Sequence, residues 1–145
     1  MDEFLASTAF RVFAAVSAVL VLKMVGLAYL VGCNRILKRR HTNPEDARFL
    51  KGEPGEDEFS ARASRAHGNS LENEPLFILL GLLWVFLGAH TEAIQIYAYT
   101  FLVARVLHSL FYLLKLQPWR TIAYAISSLC LIGMSVQILM AAFAH

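Results

Sequence analysis

A chain of 145 residues that is 57% hydrophobic, with mean hydropathy +0.53, is too apolar for a soluble domain of its size. The net charge is only +2, and the basic residues gather beside apolar runs, so the ordinary partner is anionic membrane lipid and not nucleic acid. Two cysteines without metal-ligand spacing exclude a disulfide framework and a metal centre, and no run alternates with period two as a membrane β-barrel requires.

Four apolar stretches follow one another: residues 4–36, 75–89 with a polar lead-in, 93–116 and 119–143. Each is near the roughly 20 residues that carry a helix across about 30 Å of hydrocarbon. The first does not read as a secretory signal, because it lacks a basic start, is long, and carries Lys23 in its apolar core. The chain therefore reads as an all-α membrane protein: one domain over residues 1–145, a four-transmembrane-helix bundle. Its helices are expected at roughly 5–37, 59–88, 92–116 and 118–143, with a loop at 38–58.

The connections carry local signals. Asn43-Pro44-Glu45-Asp46 reads as a helix start, with Asn43 as N-cap, Pro44 at the first helical position and two acids facing the positive end of the dipole. That short helix is expected to reach about residue 51. Pro54-Gly55 breaks the chain, and Glu56-Asp57-Glu58 supplies acids for the start of the next helix, near residue 59. Pro75 removes a backbone donor and predicts a kink just below Glu72. Thr91 is expected to cap the third long helix. Gln117-Pro118 makes the turn into the fourth, with Arg120 and Thr121 in its first turn.

Orientation follows from the basic residues. Eight of the 13 lie in residues 35–65: Arg35, Lys38, Arg39, Arg40, Arg48, Lys51, Arg62 and Arg65. Lys115 and Arg120 flank the third connection, whereas residues 90–92 contain none. The positive-inside rule places the first and third connections in the cytoplasm and both termini on the other side.

Two sets of ionisable and polar residues interrupt this pattern. Arg65, Asn69 and Glu72 lead into the second run, and Arg105, His108 and Tyr112 lie inside the third. Offsets of three, four and seven put each set on one helix face. A charge at the centre of a spanning helix costs roughly 2.5–3.5 kcal/mol on insertion scales, so such residues face a bundle interior or a cavity and carry function. Arg35, Arg120, Thr121 and Tyr124 fall toward the same cytoplasmic half. Guanidinium groups bind carboxylates bidentately, and a carboxylate such as Glu72 suits an ammonium group. A ligand with two carboxylates and one ammonium matches this inventory, and glutathione has that pattern. A lipophilic co-substrate would enter from the bilayer.

Plainer readings stand beside this one. Polar side chains hold membrane bundles together, which suffices for Arg105 and His108. Glu72 pairs with Arg105 or Lys23 on that reading, and Lys23, about 18 Å from Arg35 at 1.5 Å per residue, is an ion-pair member too deep to snorkel. Lys38, Arg39 and Arg40 are solvated or lipid-bound, and His67 and His90 are exposed. Trp84, Tyr97, Tyr99 and Trp119 are packing residues or interfacial anchors, and Cys33 is a small packing residue.

The segment Arg65-Ala66-His67-Gly68-Asn69-Ser70-Leu71-Glu72-Asn73 resembles the MAPEG family, membrane-associated proteins in eicosanoid and glutathione metabolism. So do Lys23-Met24, Asn43-Pro44-Glu45-Asp46 and Arg105-Val106-Leu107-His108, in the same order and spacing from about residue 20 onward. The likeness is greatest to the branch of the microsomal glutathione transferases and prostaglandin E synthases. It implies a homotrimer of four-helix subunits, with glutathione between neighbouring subunits near the cytosolic face. Carried over by position, Asn69, Glu72, His108, Tyr112 and Tyr124 resemble glutathione contacts, with Arg35 and Arg105 as supporting basic residues; Arg65, on the face of Asn69 and Glu72, is a further expected glutathione-binding residue. Arg120 resembles the arginine that stabilises the thiolate, Thr121 stands where relatives use a serine hydroxyl, and Asp46 matches an aspartate linked to isomerisation. Gly68 departs from the prostaglandin-synthase type, which has an arginine there.

The resemblance thus implies a glutathione-dependent enzyme of the glutathione transferase or glutathione peroxidase kind, with Arg120, Thr121 and Tyr124 catalytic. It would sit in a bacterial inner membrane or the endoplasmic reticulum. Rival readings are a prostaglandin E synthase-type isomerase, a non-enzymatic lipid-binding scaffold of the same family, and a small multidrug transporter. The charged loop and the internal Arg105 fit the transporter badly.

Overall fold

The computed structural model describes residues 5–143. Ser7 leaves the helical conformation and caps α1 (Thr8–Lys38), its hydroxyl accepting from the Phe10 amide at 3.2 Å, so the long helix starts at residue 8 and not at 5. Arg39, left-handed at φ 50°, ends it. Next come β1 (Arg40–His41), α2 (Pro44–Phe49) and β2 (Glu53–Pro54). The remaining helices are α3 (Glu58–Phe86), α4 (Thr91–Leu113) and α5 (Trp119–Phe143).

Three of the long helices, α1, α4 and α5, are long and apolar enough to cross a membrane. The expected fourth span differs. α3 is 29 residues long, but its first half carries charged and polar residues, and only the stretch after Pro75 is continuously apolar. The helix continues through Pro75 without interruption.

The loop between α1 and α3 is more ordered than its sequence predicts. β1 and β2 pair in parallel, Arg40 against Glu53 and His41 against Pro54, so the chain leaves and returns at one place. Two-residue strands carry no periodicity that a sequence reading can detect. Gly52 is required there, because a Cβ would lie 2.5 Å from the Arg39 carbonyl oxygen. Lys51, left-handed at φ 52°, ends α2's turn earlier than expected. Asn43 is the N-cap of α2 by position, but its side chain bonds the Asp46 carboxylate at 3.0 Å instead of the helix backbone. The N-cap of α4 is His90, so the expected cap Thr91 is already its first residue.

Among the described residues α1 packs on α3 and α4, and α5 packs on α3 and α4, so α1 and α5 occupy opposite corners. Side-chain chemistry divides the bundle along its length. Away from the loop, Phe13, Val16, Leu20, Phe77, Trp84, Ile94, Phe101 and Met134 form an apolar core. Phe77 and Phe101 stack there with centroids 4.2 Å apart, and Trp84 meets Tyr97 edge-on at 5.2 Å, as packing aromatics. Gly81 lets α1 approach α3, since any Cβ there would collide with the Phe13 ring. About one turn toward the loop from Leu20, Phe77 and Phe101 the core turns polar, at Lys23, Glu74 and Arg105.

The loop end is tied by polar contacts. Asp57 caps α3, accepting from the Phe59 and Ser60 amides at 3.0 and 3.4 Å, and also accepts from the Asn34 amide at 2.7 Å. Arg35 pairs with Glu56. Glu58 accepts from both Lys115 at the end of α4 and Arg62 one turn on.

Candidate functional site

The polar residues of the third and fourth long helices, α4 and α5, converge. On α4, His108 and Tyr112 are one turn apart, with ring centroids at 5.8 Å. Tyr124 of α5 comes to 5.9 Å from the same His108 ring. Arg120, one turn earlier on α5, places its guanidinium carbon 4.5 Å from the Tyr112 ring centroid, a cation–π contact. Gln117, oriented so that both ends of its amide are satisfied, accepts from Arg120 Nε at 3.1 Å and donates to Thr121 Oγ1 at 3.0 Å. Four of the expected residues, His108, Tyr112, Arg120 and Tyr124, therefore form one connected cluster, and Thr121 joins it through Gln117.

Behind the cluster lies a buried ionic group. Arg105 is wholly buried, and its Nη2 donates to the Asn69 carbonyl at 3.0 Å and to Asn69 Oδ1 at 2.8 Å. Its Nε reaches Glu74 Oε1 at 3.4 Å. Lys23 pairs with the same Glu74 oxygen and donates to Ser70 and Ser109, each at 3.0 Å. Lys23 is thus the ion-pair member its depth implies.

Its partner is a correction. Glu74, not Glu72, holds both Lys23 and Arg105, because residues two apart on a helix point about 200° from each other. Glu72 is exposed and makes no ion pair or hydrogen bond among the described residues. Glu74 was missed. The available signal was that two cations inside apolar helices need a buried carboxylate.

Other expected site residues are not gathered here. Arg35 sits on α1, which does not touch α5, and it is already paired with Glu56. Arg65 is exposed on α3. His67 is half-buried, against the expectation of exposure, whereas His90 is exposed as expected. Cys33 is exposed on α1 and is not packed within the bundle, while Cys130 is buried.

Several groups near the cluster keep unused hydrogen-bonding capacity. Arg105 Nη1 and His108 Nδ1 are buried without a hydrogen-bond partner among the described residues. The hydroxyls of Tyr112 and Tyr124 make no hydrogen bond among the described residues. Such a donor-rich set suits a ligand with acidic groups.

A cavity of about 680 Å³ lies elsewhere. It is an apolar groove between α4 and α5 lined by Tyr99, Leu107, Phe111, Trp119, Ile122 and Ile126. Ala104 and Ala123 also line it, and Arg105 and Tyr124 follow each of them by one residue, about 100° round their helices. The α4–α5 seam therefore has a polar flank and an apolar flank.

Helices long and apolar enough to cross a membrane, with a cationic and phenolic cluster at one end of their bundle, are the features of an integral membrane protein. The chain belongs to the MAPEG family, whose model matches residues 13–140. It is similar to the prostaglandin E synthase of Equus caballus, 35% identical over 136 residues, covering 92% of this chain and 89% of the relative. The prostaglandin E synthase of Homo sapiens is 34% identical over 148 residues, covering 97% and 95%. Microsomal glutathione S-transferase 1 of Sus scrofa is 31% identical over 131 residues, covering 86% and 84%.

Proposed function

We propose that this protein is a glutathione-dependent membrane enzyme acting on lipophilic electrophiles or hydroperoxides from the bilayer. The observation that carries the reading is the Arg120–Tyr112–His108–Tyr124 cluster, in a chain whose relatives bear the names glutathione S-transferase and prostaglandin E synthase. When bound, glutathione supplies a thiol whose thiolate is the nucleophile. Arg120, held between the Tyr112 ring and Gln117, supplies the positive charge that favours the thiolate. Tyr124 or Thr121 donates a hydrogen bond to the sulfur. Glu72 holds the ligand ammonium, while Asn69, Arg65, His108 and Arg105 serve the acidic end.

The assembly belongs to the same reading. Arg35 is at the far corner of the bundle from Arg120, so a site using both requires a second subunit, and a homotrimer supplies it. α3 crosses the bilayer as a fourth span, with the residue 38–58 loop and the site in the cytoplasm and both termini opposite. Mass measurement of the detergent-solubilised protein is expected to give a trimer. Cysteine labelling is expected from the cytoplasm near residue 51 and from the other side near residue 92; labelling of both from one side refutes this topology.

The deciding assay is glutathione turnover by purified protein with an aryl halide, a lipid hydroperoxide and a prostaglandin endoperoxide. Turnover of the first two places the enzyme with the transferases and peroxidases; none with any of the three favours the non-enzymatic scaffold. A second reading, endoperoxide isomerisation, is favoured by the synthase relatives at 33–35% identity. Gly68 tests it directly. A side chain there meets open space, with nothing within 4 Å of an added Cβ, so Gly68→Arg is expected to fold. If isomerisation needs that arginine, only the variant will isomerise the endoperoxide.

A further inference from the structure

Arg105 carries donors only, so any amide that bonds it does so through its oxygen. The 2.8 Å contact from Arg105 Nη2 to Asn69 Oδ1 therefore fixes which way the Asn69 amide faces. Its carbonyl turns inward and its NH2 group turns away from Arg105, with no bond among the described residues. The Asn69 backbone is held as well, its carbonyl accepting from Arg105 at 3.0 Å and from the Asn73 amide at 2.8 Å.

Arg105 is in turn placed by Glu74, whose side chain is wholly buried and which Lys23, itself bonded to Ser70 and Ser109, holds from the α1 side. The chain of contacts thus runs from α1 through α3 and α4 back to Asn69 on α3. Without Glu74 the guanidinium would lose its only ionic partner among the described residues.

We infer that Glu74 is a positioning residue for ligand recognition: acting through Arg105, it presents the Asn69 NH2 group as a donor pair and so selects a carboxylate or carbonyl oxygen on the ligand. This rests on the glutathione reading for the ligand's identity, though the relay itself does not. Glu74 touches no ligand. Its contribution is the orientation of an amide that would otherwise be free to present either end.

The test has an arm without ligand and an arm with glutathione. In the first, thermal midpoints of the detergent-solubilised apo protein are measured for Glu74→Gln, Asn69→Asp and the double variant. The aspartate keeps an oxygen on Arg105 and adds a carboxylate beside it. Asn69→Asp should therefore raise the midpoint at least twice as much in the Glu74→Gln background as in the wild type, or restore folding if Glu74→Gln alone does not fold. Additive shifts, or no restoration, overturn the relay.

In the second arm Asn69→Asp replaces the outward donors with an oxygen. Its KM for glutathione should rise at least tenfold with kcat within about threefold of wild type, although its stability is undiminished. Unchanged KM overturns the proposed orientation. Should the wild type show no glutathione turnover, the functional reading fails while the apo cycle still decides the relay.

Discussion

Replacing Tyr112 separates the two parts that the site assigns to it. Its ring carries the Arg120 guanidinium at 4.5 Å, and its hydroxyl makes no hydrogen bond among the described residues. Cation–π contacts range from about 0.5 kcal/mol at exposed sites to about 2 when desolvated, and both residues here are half-buried, so about 1 kcal/mol is a fair value. If that contact holds the cation beside the sulfur, its loss lowers the population of the productive arrangement by roughly fivefold, since 1.4 kcal/mol is tenfold. Tyr112→Leu is therefore expected to reduce the ultraviolet thiolate absorbance of the glutathione complex at neutral pH and to lower kcat by roughly fivefold. Tyr112→Phe keeps the ring and should retain most of the thiolate signal. Arg120→Leu should abolish the signal while leaving substantial affinity, and Arg120→Lys should recover only part, because a point charge cannot reproduce the planar fork. Equal thiolate signals in Tyr112→Leu and Tyr112→Phe would refute the stacking argument, and a normal signal in Arg120→Leu would remove the arginine from the mechanism.

Three further outcomes are expected. Asp57→Ala removes the cap of α3 together with the Asn34 tie, and should lower unfolding stability by about 1–2 kcal/mol as read by chemical denaturation. Gly81→Ala forces a methyl group against Phe13 and should cost about 1–3 kcal/mol by the same measurement, with Phe13→Leu in the Gly81→Ala background recovering part of it. The Lys115 hydrogen bond, then that of Arg62, holds the Glu58 carboxyl below its ordinary value of 4.5. A depressed carboxylate contributes stability that is present above its unfolded pKa and is lost as pH falls through the folded one. The α3–α4 tie should therefore be intact at neutral pH and weaken below about pH 4.5, and Glu58→Gln should flatten that acid limb in a pH series of thermal midpoints.

Much of this arrangement was legible in one dimension. Helical spacing alone puts Arg105, His108 and Tyr112 on one face, and the short Gln117-Pro118 turn brings Arg120 and Tyr124 opposite them. The partner of Lys23 was not legible, because Glu72 and Glu74 are equally acidic and only the rotation of α3 against α1 and α4 decides which one is buried. The isolation of Arg35 is likewise a matter of helix order: no periodicity within α1 reveals that it stands diagonal to α5. The β1–β2 pairing escaped for a third reason, since its backbone bonds involve two residues a side and no hydrophobic pattern.

Lys23 also has a history that the finished bundle conceals. Its ionic partner Glu74 lies 51 residues further along the chain. At about 5–20 residues per second of synthesis, α1 waits roughly 3–10 s for that carboxylate to be made. During this interval a lysine inside an apolar helix carries an insertion penalty of about 3 kcal/mol with nothing to offset it but the surrounding leucines and valines. Membrane integration of nascent chains arrested before residue 74 is therefore expected to be less efficient for the natural sequence than for Lys23→Leu. The gap should close in chains long enough to deliver Glu74 to the bilayer, and a constant gap at every length would show that the late-made carboxylate plays no part in settling α1.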